Sequence, residues 1–135
     1  MAQILILEEE AGPAMPLRNS LQCHHQLHFV DDSLDAMRLL RTEKIDLIIS
    51  RVHLDNSNLF EFIKTAKREP STRNIPFLCF CEEETNAAKF LDGHVEHAAI
   101  LCGADKYLVL ERFRCNNLYD FDVLRRTIEE CMVAP

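Results

Sequence analysis

Short apolar runs recur along the chain and are separated by longer segments with helical spacing. The runs show no alternation of apolar and polar residues, which is typical of strands buried on both faces. The predicted strands are Ile4–Leu7, Leu27–Val30, Leu47–Ile49, Phe77–Cys81 and Tyr107–Leu110. Apolar residues three and four positions apart predict the helices between them. One helix passes through Leu17 and Leu21, and a second starts after Asp31–Ser33. Two others cover Leu59–Arg68 and Phe121–Met132.

This alternation of strands and helices predicts an α/β fold. Right-handed crossovers turn such a chain into a parallel sheet between two layers of helices. We therefore expect a flavodoxin-like doubly wound (βα)5 sandwich whose five-stranded parallel sheet has the order 2-1-3-4-5. The chain has 135 residues, the size of one domain, so residues 1–135 are expected to form a single unit. Ligands of this fold bind at the carboxyl ends of the strands, which directs attention to the residues after Leu7, Ser50, Cys81 and Val109.

The net charge and the N-terminal sequence restrict which partners and which cellular compartment we expect. Twenty-two acidic residues against 15 Lys and Arg give a net charge of -7, so direct nucleic-acid binding lacks electrostatic support. The opening MAQILILEEE has neither a basic nor a long apolar leader, and no apolar run approaches the roughly 18 residues of a membrane span. We expect a cytoplasmic protein without membrane contact, whose six cysteines are free.

An acidic run follows the first predicted strand. Glu8, Glu9 and Glu10 are adjacent, and three neighbouring carboxylates repel one another unless a cation lies among them. Their position at a strand end favours a cation pocket, with a solvated acidic loop as the alternative.

In three stretches, ILILEEE, DLIISRVHLDNSNLFEFIKTAKREPSTRNIP and CGADKYLV, the chain resembles the receiver domains (CheY-like) of response regulators in two-component, or phosphorelay, signalling. ILILEEE resembles the opening strand and acidic pair of that family. DLIISRVHLDNSNLFEFIKTAKREPSTRNIP is similar to the third strand, phosphorylation loop and third helix, and CGADKYLV to the segment entering the fifth strand. The resemblance covers nearly the whole chain and implies a bacterial signalling domain that is not an enzyme.

The resemblance ends at the positions of the phosphoryl chemistry. It places the phosphorylated aspartate of the family at Arg51, its hydroxyl residue at Cys81 and its lysine at Leu110, while Glu8 and Glu9 keep the acidic pair. A guanidinium stays cationic and offers only hydrogen-bond donors, so it cannot form an acyl phosphate. These five residues are therefore expected to form a degenerate phosphorylation pocket, and the chain to be a pseudo-receiver that works without phosphorylation.

Arg51 can supply the positive charge that this pocket needs. We expect it to contact Glu8 or Glu9 and to stand where a metal ion and a phosphoryl group would otherwise bind. No metal or other cofactor is expected, with Mg²⁺ at Glu8 and Glu9 as a weak alternative. Tyr107 matches the aromatic switch residue of the family and is expected to be uncoupled from phosphorylation; a half-buried tyrosine with a packing role is the alternative.

Loop segments also depart from the family. The segment from Glu82 to Gly103 is longer than the usual connection, and Arg112 to Asp120 resembles an insertion before the last helix. Leu59 stands in place of a glycine, and Asn58 before it is expected to cap the third helix.

The expected output is protein–protein recognition. The resemblance implies a histidine kinase, a phosphotransferase or an output domain as partner, or a homodimer through the face of helix 4, strand 5 and helix 5. The alternative is a redox- or ligand-sensing domain that uses Cys81 and the pocket of Glu8, Glu9 and Arg51. Less favoured hypotheses are a metal site, which could draw on Cys79, Cys81, Cys23, His24, His25, His94 and His97, and phosphorylation of Asp55 or Asp46.

Overall fold

A computed structural model describes residues 1–8, 12, 14–52, 58–82 and 86–132, with residues 86–93 described by their backbone alone. The strands of the main sheet are β1 (Gln3–Leu7), β2 (Gln26–Val30), β3 (Leu47–Arg51), β4 (Phe77–Cys81) and β5 (Lys106–Val109). The helices are α1 (Met15–Leu21), α2 (Ser33–Thr42), α3 (Leu59–Arg68), α4 (Asn86–Cys102) and α5 (Phe121–Glu130). No helix in these ranges is long and apolar enough to cross a membrane.

The five strands form one parallel sheet in the order β2-β1-β3-β4-β5, which confirms the predicted fold. Alternate residues of each strand enter one of two cores. On one face Leu5, Ile48 and Cys79 pack with α2, α3 and α4, and on the other face Ile4, Ile49 and Phe80 pack with α1 and α5. Because both faces are covered, the strands could not show the alternation of a half-exposed sheet.

Side-chain caps begin three of the helices. Asp32 accepts a hydrogen bond from the Asp35 amide, and Asp120 accepts one from the Val123 amide. Asn58 accepts from the amide of Glu61, which confirms the cap predicted for α3. Each cap satisfies an amide that has no partner within its own helix. The helices that follow β2, β3 and β5 therefore begin at capping residues that the local sequence supplies.

The chain after β5 differs from the prediction. The fifth strand ends at Val109, and Leu110 begins a short 3-10 helix, Leu110–Phe113, because its side chain turns into the core beneath α5 and is fully buried. The predicted insertion forms the end of this 3-10 helix and a hairpin of two short strands, β6 (Arg114–Cys115) and β7 (Leu118–Tyr119). Helix α5 then ends at Glu130, two residues before the predicted Met132.

His25 joins the start of β1 to the end of α5. Its Nδ1 accepts a hydrogen bond from the Ala2 amide at 3.0 Å, which places the ring proton on Nε2. Nε2 then donates to Glu129 Oε2 at 2.7 Å. This hydrogen bond is the main cause that lowers the pKa of the Glu129 carboxyl.

Replacing Glu129 with Gln is expected to lower the free energy of unfolding by about 1 kcal/mol near pH 7. A carboxyl with a depressed pKa stabilises the fold above its unfolded-state pKa, and that contribution is lost as the pH falls through the folded-state value. Chemical denaturation of both proteins between neutral and acidic pH checks this prediction. Glu130→Gln, at the exposed neighbouring position, is the control, and a wild-type advantage that grows toward acid would contradict it.

The thiols of β4 lie inside the first core. Cys79 is fully buried, and burial, followed by the nearby Cys102 thiol, raises its pKa to about 12. Cys81 is 3% exposed in the same core. Cys23 and Cys115, in contrast, are exposed. A buried neutral thiol reacts poorly, because the thiolate is the nucleophile.

Alkylation of the native protein at mildly alkaline pH is expected to modify Cys23 and Cys115 first and to leave Cys79 and Cys81 protected. Mass spectrometry of peptides after timed quenching measures the four rates. The same reagent under denaturing conditions provides the control, because all these thiols are then accessible. Rapid modification of Cys81 in the folded protein would contradict its burial and favour the redox alternative.

Candidate functional site

Charged side chains collect at the carboxyl ends of three neighbouring strands. Glu8 directly follows β1, Arg51 is the last residue of β3, and Glu82 directly follows β4. The parallel register pairs Leu7 with Ser50 and Arg51 with Phe80, so the three charged residues lie side by side at one edge of the sheet. We call Glu8, Arg51 and Glu82 the strand-end triad.

Arg51 contacts both carboxylates of the triad. Its Nε donates to Glu82 Oε1 at 2.5 Å, and its Nη1 lies 3.4 Å from Glu8 Oε2. The side chains of Arg51 and Glu8 are only 21% and 13% exposed, and that of Glu82 is 37% exposed. The contact with Glu82 is a short, charge-assisted hydrogen bond and the contact with Glu8 is an ion pair; partial burial strengthens both relative to pairs in open solvent. The guanidinium thus links the ends of β1, β3 and β4.

The triad contains two negative charges and one positive charge. Removing solvent from such groups is costly, and the mutual attraction compensates only while all partners are present. Without the guanidinium, the carboxylates of Glu8 and Glu82 would both lie near the end of β3 and would lose the cation that they share. The arrangement therefore makes Arg51 the residue on which the local charge balance depends.

The sequence analysis identified Glu8 and Arg51 but missed Glu82. A signal for it was present, because CEEE after the fourth strand repeats the acidic run that follows the first strand. Strands β3 and β4 are neighbours in the sheet, so an acid after β4 can reach the end of β3. The predicted site residue Glu9, together with Glu10 and Asp55, lies outside the described residues.

The remaining predicted site residues pack in the cores. Cys81 belongs to the first core, and the half-buried ring of Tyr107 packs against that core. Leu110 belongs to the second core, on the other face of the sheet, together with Leu124 and Ile128 of α5. The structure thus brings Glu8 and Arg51 together and places Leu110 in an apolar environment away from their charges.

The side chains of the strand-end triad do not form a ligand set for a divalent cation. Mg²⁺ binds oxygen ligands, whereas Arg51 presents only donors and its own positive charge to the Glu8 carboxylate. Within the described residues, no group of three or more His, Cys, Asp or Glu side chains is arranged to hold a metal ion. The zinc hypothesis therefore finds no ligand set in this part of the chain.

Comparisons with known proteins bear on the fold. No model of a protein family and no curated protein matches the chain in sequence. The receiver domain of a signal transduction histidine kinase from Syntrophus aciditrophicus is 22% identical with a TM-score of 0.72, covering 98% of this chain and 90% of the other. The chemotaxis response regulator CheY4 of Vibrio cholerae is 20% identical with a TM-score of 0.72, covering 97% and 98%.

A third solved structure is the receiver domain of a sensor histidine kinase from Pseudomonas aeruginosa, with a magnesium ion coordinated in its active site cleft. It is 14% identical with a TM-score of 0.72, and the match covers 97% of both chains. These likenesses extend over nearly the full length of the chain. The chain therefore has the flavodoxin-like fold of response-regulator receiver domains.

Proposed function

We propose that this chain is a receiver-like domain of two-component signalling that accepts no phosphoryl group and acts by binding a protein partner. The observation that carries the proposal is Arg51, which lies at the carboxyl end of β3 between two carboxylates. The receiver fold supports the signalling role, and the chemistry of the triad supports independence from phosphorylation.

Phosphoryl transfer to a receiver-like site requires an acceptor carboxylate. The resemblance to the family puts that acceptor at position 51, where this chain has a guanidinium. Its nitrogen atoms are all donors, and a guanidinium group stays cationic in proteins, so it offers no nucleophilic lone pair. An acyl phosphate therefore has no acceptor oxygen at the end of β3.

The positive charge of the pocket is built into the chain. The Pseudomonas receiver domain holds magnesium in its active site cleft. In this chain the Glu8 carboxylate faces a guanidinium, so a second cation would meet repulsion as well as a missing ligand. A covalently attached cation cannot dissociate, and the site would keep one charge state at all magnesium concentrations.

The triad also supports a fixed conformation. Glu82 begins the connection to α4, and its carbonyl accepts a hydrogen bond from the Glu111 amide after β5. With Arg51 bound to its carboxylate, the ends of β3, β4 and β5 are joined in the resting protein. The side chain of Tyr107, at the position of the aromatic switch, would then not change its conformation in response to phosphorylation. The output would be constitutive recognition of a cytoplasmic partner, namely a histidine kinase, a phosphotransferase or an output domain.

Neither magnesium nor beryllofluoride, a mimic of an acyl phosphate, is expected to raise the melting temperature of the wild-type protein. A ligand present at a hundredfold its Kd would add about 2.7 kcal/mol and shift the midpoint by several degrees. Differential scanning fluorimetry with magnesium alone and then with both reagents makes the measurement. A shift with magnesium alone would contradict the proposal that Arg51 takes the place of a metal ion. A further shift with beryllofluoride would contradict the proposal that the site has no phosphoryl acceptor.

Changing Arg51 to Ala is expected to lower the free energy of unfolding by about 1 to 2 kcal/mol, because it leaves the Glu8 and Glu82 carboxylates without their shared cation. Arg51→Asp should add a third carboxylate and create magnesium-dependent stabilisation that the wild type lacks. Arg38→Ala is the control, since it removes a pair with Asp35 in which both side chains are at least half exposed.

The two Arg51 variants have different contradicting outcomes. An unchanged melting temperature of Arg51→Ala would show that the guanidinium makes no energetic contribution to the triad. Isothermal titration calorimetry measures magnesium binding to the folded Arg51→Asp variant. Absence of binding would contradict the proposal that Arg51 takes the place of a metal ion.

A further inference from the structure

Apolar side chains are exposed where the hairpin meets α5. Leu118 is 75% exposed, Val123 is 41% exposed and Phe121 is 38% exposed. They are three of the seven large apolar side chains that are exposed in the described part of the chain, and they lie within six residues of one another. Leu118 and Phe121 also line the same shallow surface depression, and contiguous apolar exposure of this kind is typical of an interaction surface. We call Cys115, Leu118 and residues 120–123 the hairpin patch.

A two-residue turn sets the geometry of the hairpin that carries this patch. Asn116 and Asn117 have φ values of 53° and 66°, which fit the two-residue type I′ turn that matches the twist of paired strands. Asparagine tolerates this left-handed backbone better than most residues. The turn pairs Cys115 with Leu118, which places both exposed side chains on one side of the hairpin.

The opposite side of the hairpin is anchored to the domain. The guanidinium carbon of Arg114 lies 5.8 Å from the centre of the Tyr119 ring, and Tyr119 stacks on Phe121 with ring centres 6.0 Å apart. Tyr119 and Phe113 pack against the second core, and the Asp120 amide donates to the Phe113 carbonyl at 2.7 Å. The fold uses this side for packing, whereas Leu118 on the other side contributes little to the core.

The charges around the patch identify its partner. The segment that carries the patch, residues 111–126, contains four arginines and three acidic residues. Its net charge is therefore +1, although the whole chain carries -7. Two copies of this acidic chain would therefore repel each other less at this surface than their net charge implies, and a two-fold axis can bring the arginines of one copy toward the aspartates of the other.

We propose that the hairpin patch binds the same patch of a second copy, forming a two-fold symmetric dimer around Leu118. This interface contains no residue of α4 or β5 and shares only the start of α5 with the dimer face expected from the sequence. It uses instead the segment by which the chain departs from its resemblance to receiver domains. The inference does not depend on how the strand-end triad works.

The test is the oligomeric state of the full chain across a wide concentration range. Sedimentation equilibrium is expected to show a reversible dimer, and Leu118→Glu should raise its dissociation constant by at least about tenfold. Leu34→Glu is the matched control, because Leu34 is 74% exposed on α2, outside the patch. It should leave the dimer unchanged. Circular dichroism and thermal melting establish that both variants remain folded.

Cross-linking provides a second measurement. In a Cys23→Ser background, a short bifunctional maleimide is expected to join two chains through Cys115, and Leu118→Glu should abolish that product. Four results would overturn the proposal: a monomer at all concentrations, a dimer that is insensitive to Leu118→Glu, equal loss of the dimer in the Leu34→Glu control, or a dimer without cross-links at Cys115. The last three would move the interface to another surface.

Discussion

Strands β1, β3 and β4 are buried on both faces, and this burial restricts where the chain can carry charge. Their backbone groups are paired in the parallel ladder, and their side chains enter one of two apolar cores. A charged side chain within these strands would have to be buried without water, at a cost of several kcal/mol. Charge is tolerated only where a strand ends. Glu8, Arg51 and Glu82 are therefore brought together by the same packing that makes the sheet stable.

Replacing an exchangeable cation by a side chain changes what such a site can do. A metal site responds to ion concentration and to the charge of a bound ligand, because its cation can leave. The guanidinium of Arg51 is covalently attached at the end of β3 and forms ion pairs with two strand-end carboxylates. A guanidinium group is a permanent cation in proteins. The proposed consequence is a domain that keeps the receiver scaffold but holds the edge of the sheet in one state.

The connection between β5 and α5 can vary in length without changing the sheet. Short connections would suffice to join these elements, yet the chain forms a 3-10 helix and a hairpin there. Leu110 and Tyr119 use this extra length to pack against the second core, while Leu118 is left in solvent. Added segments of this kind leave the sheet unchanged, because they extend a loop at its edge. They are therefore where one domain of this fold can differ from another in its partners.

Local patterns determined much of this structure. The apolar runs predicted all five strands of the main sheet, and residues such as Asn58 marked helix starts, because strand burial and capping depend on residues near one another in the chain. The resemblance to receivers placed Arg51 at a strand end. Tertiary structure alone decided which acid binds it, since Arg51 and Glu82 are 31 positions apart and meet only because β3 and β4 are neighbours. It also decided that Leu110 enters the core and that Leu118 stays exposed, because an apolar side chain is buried only where another element covers it.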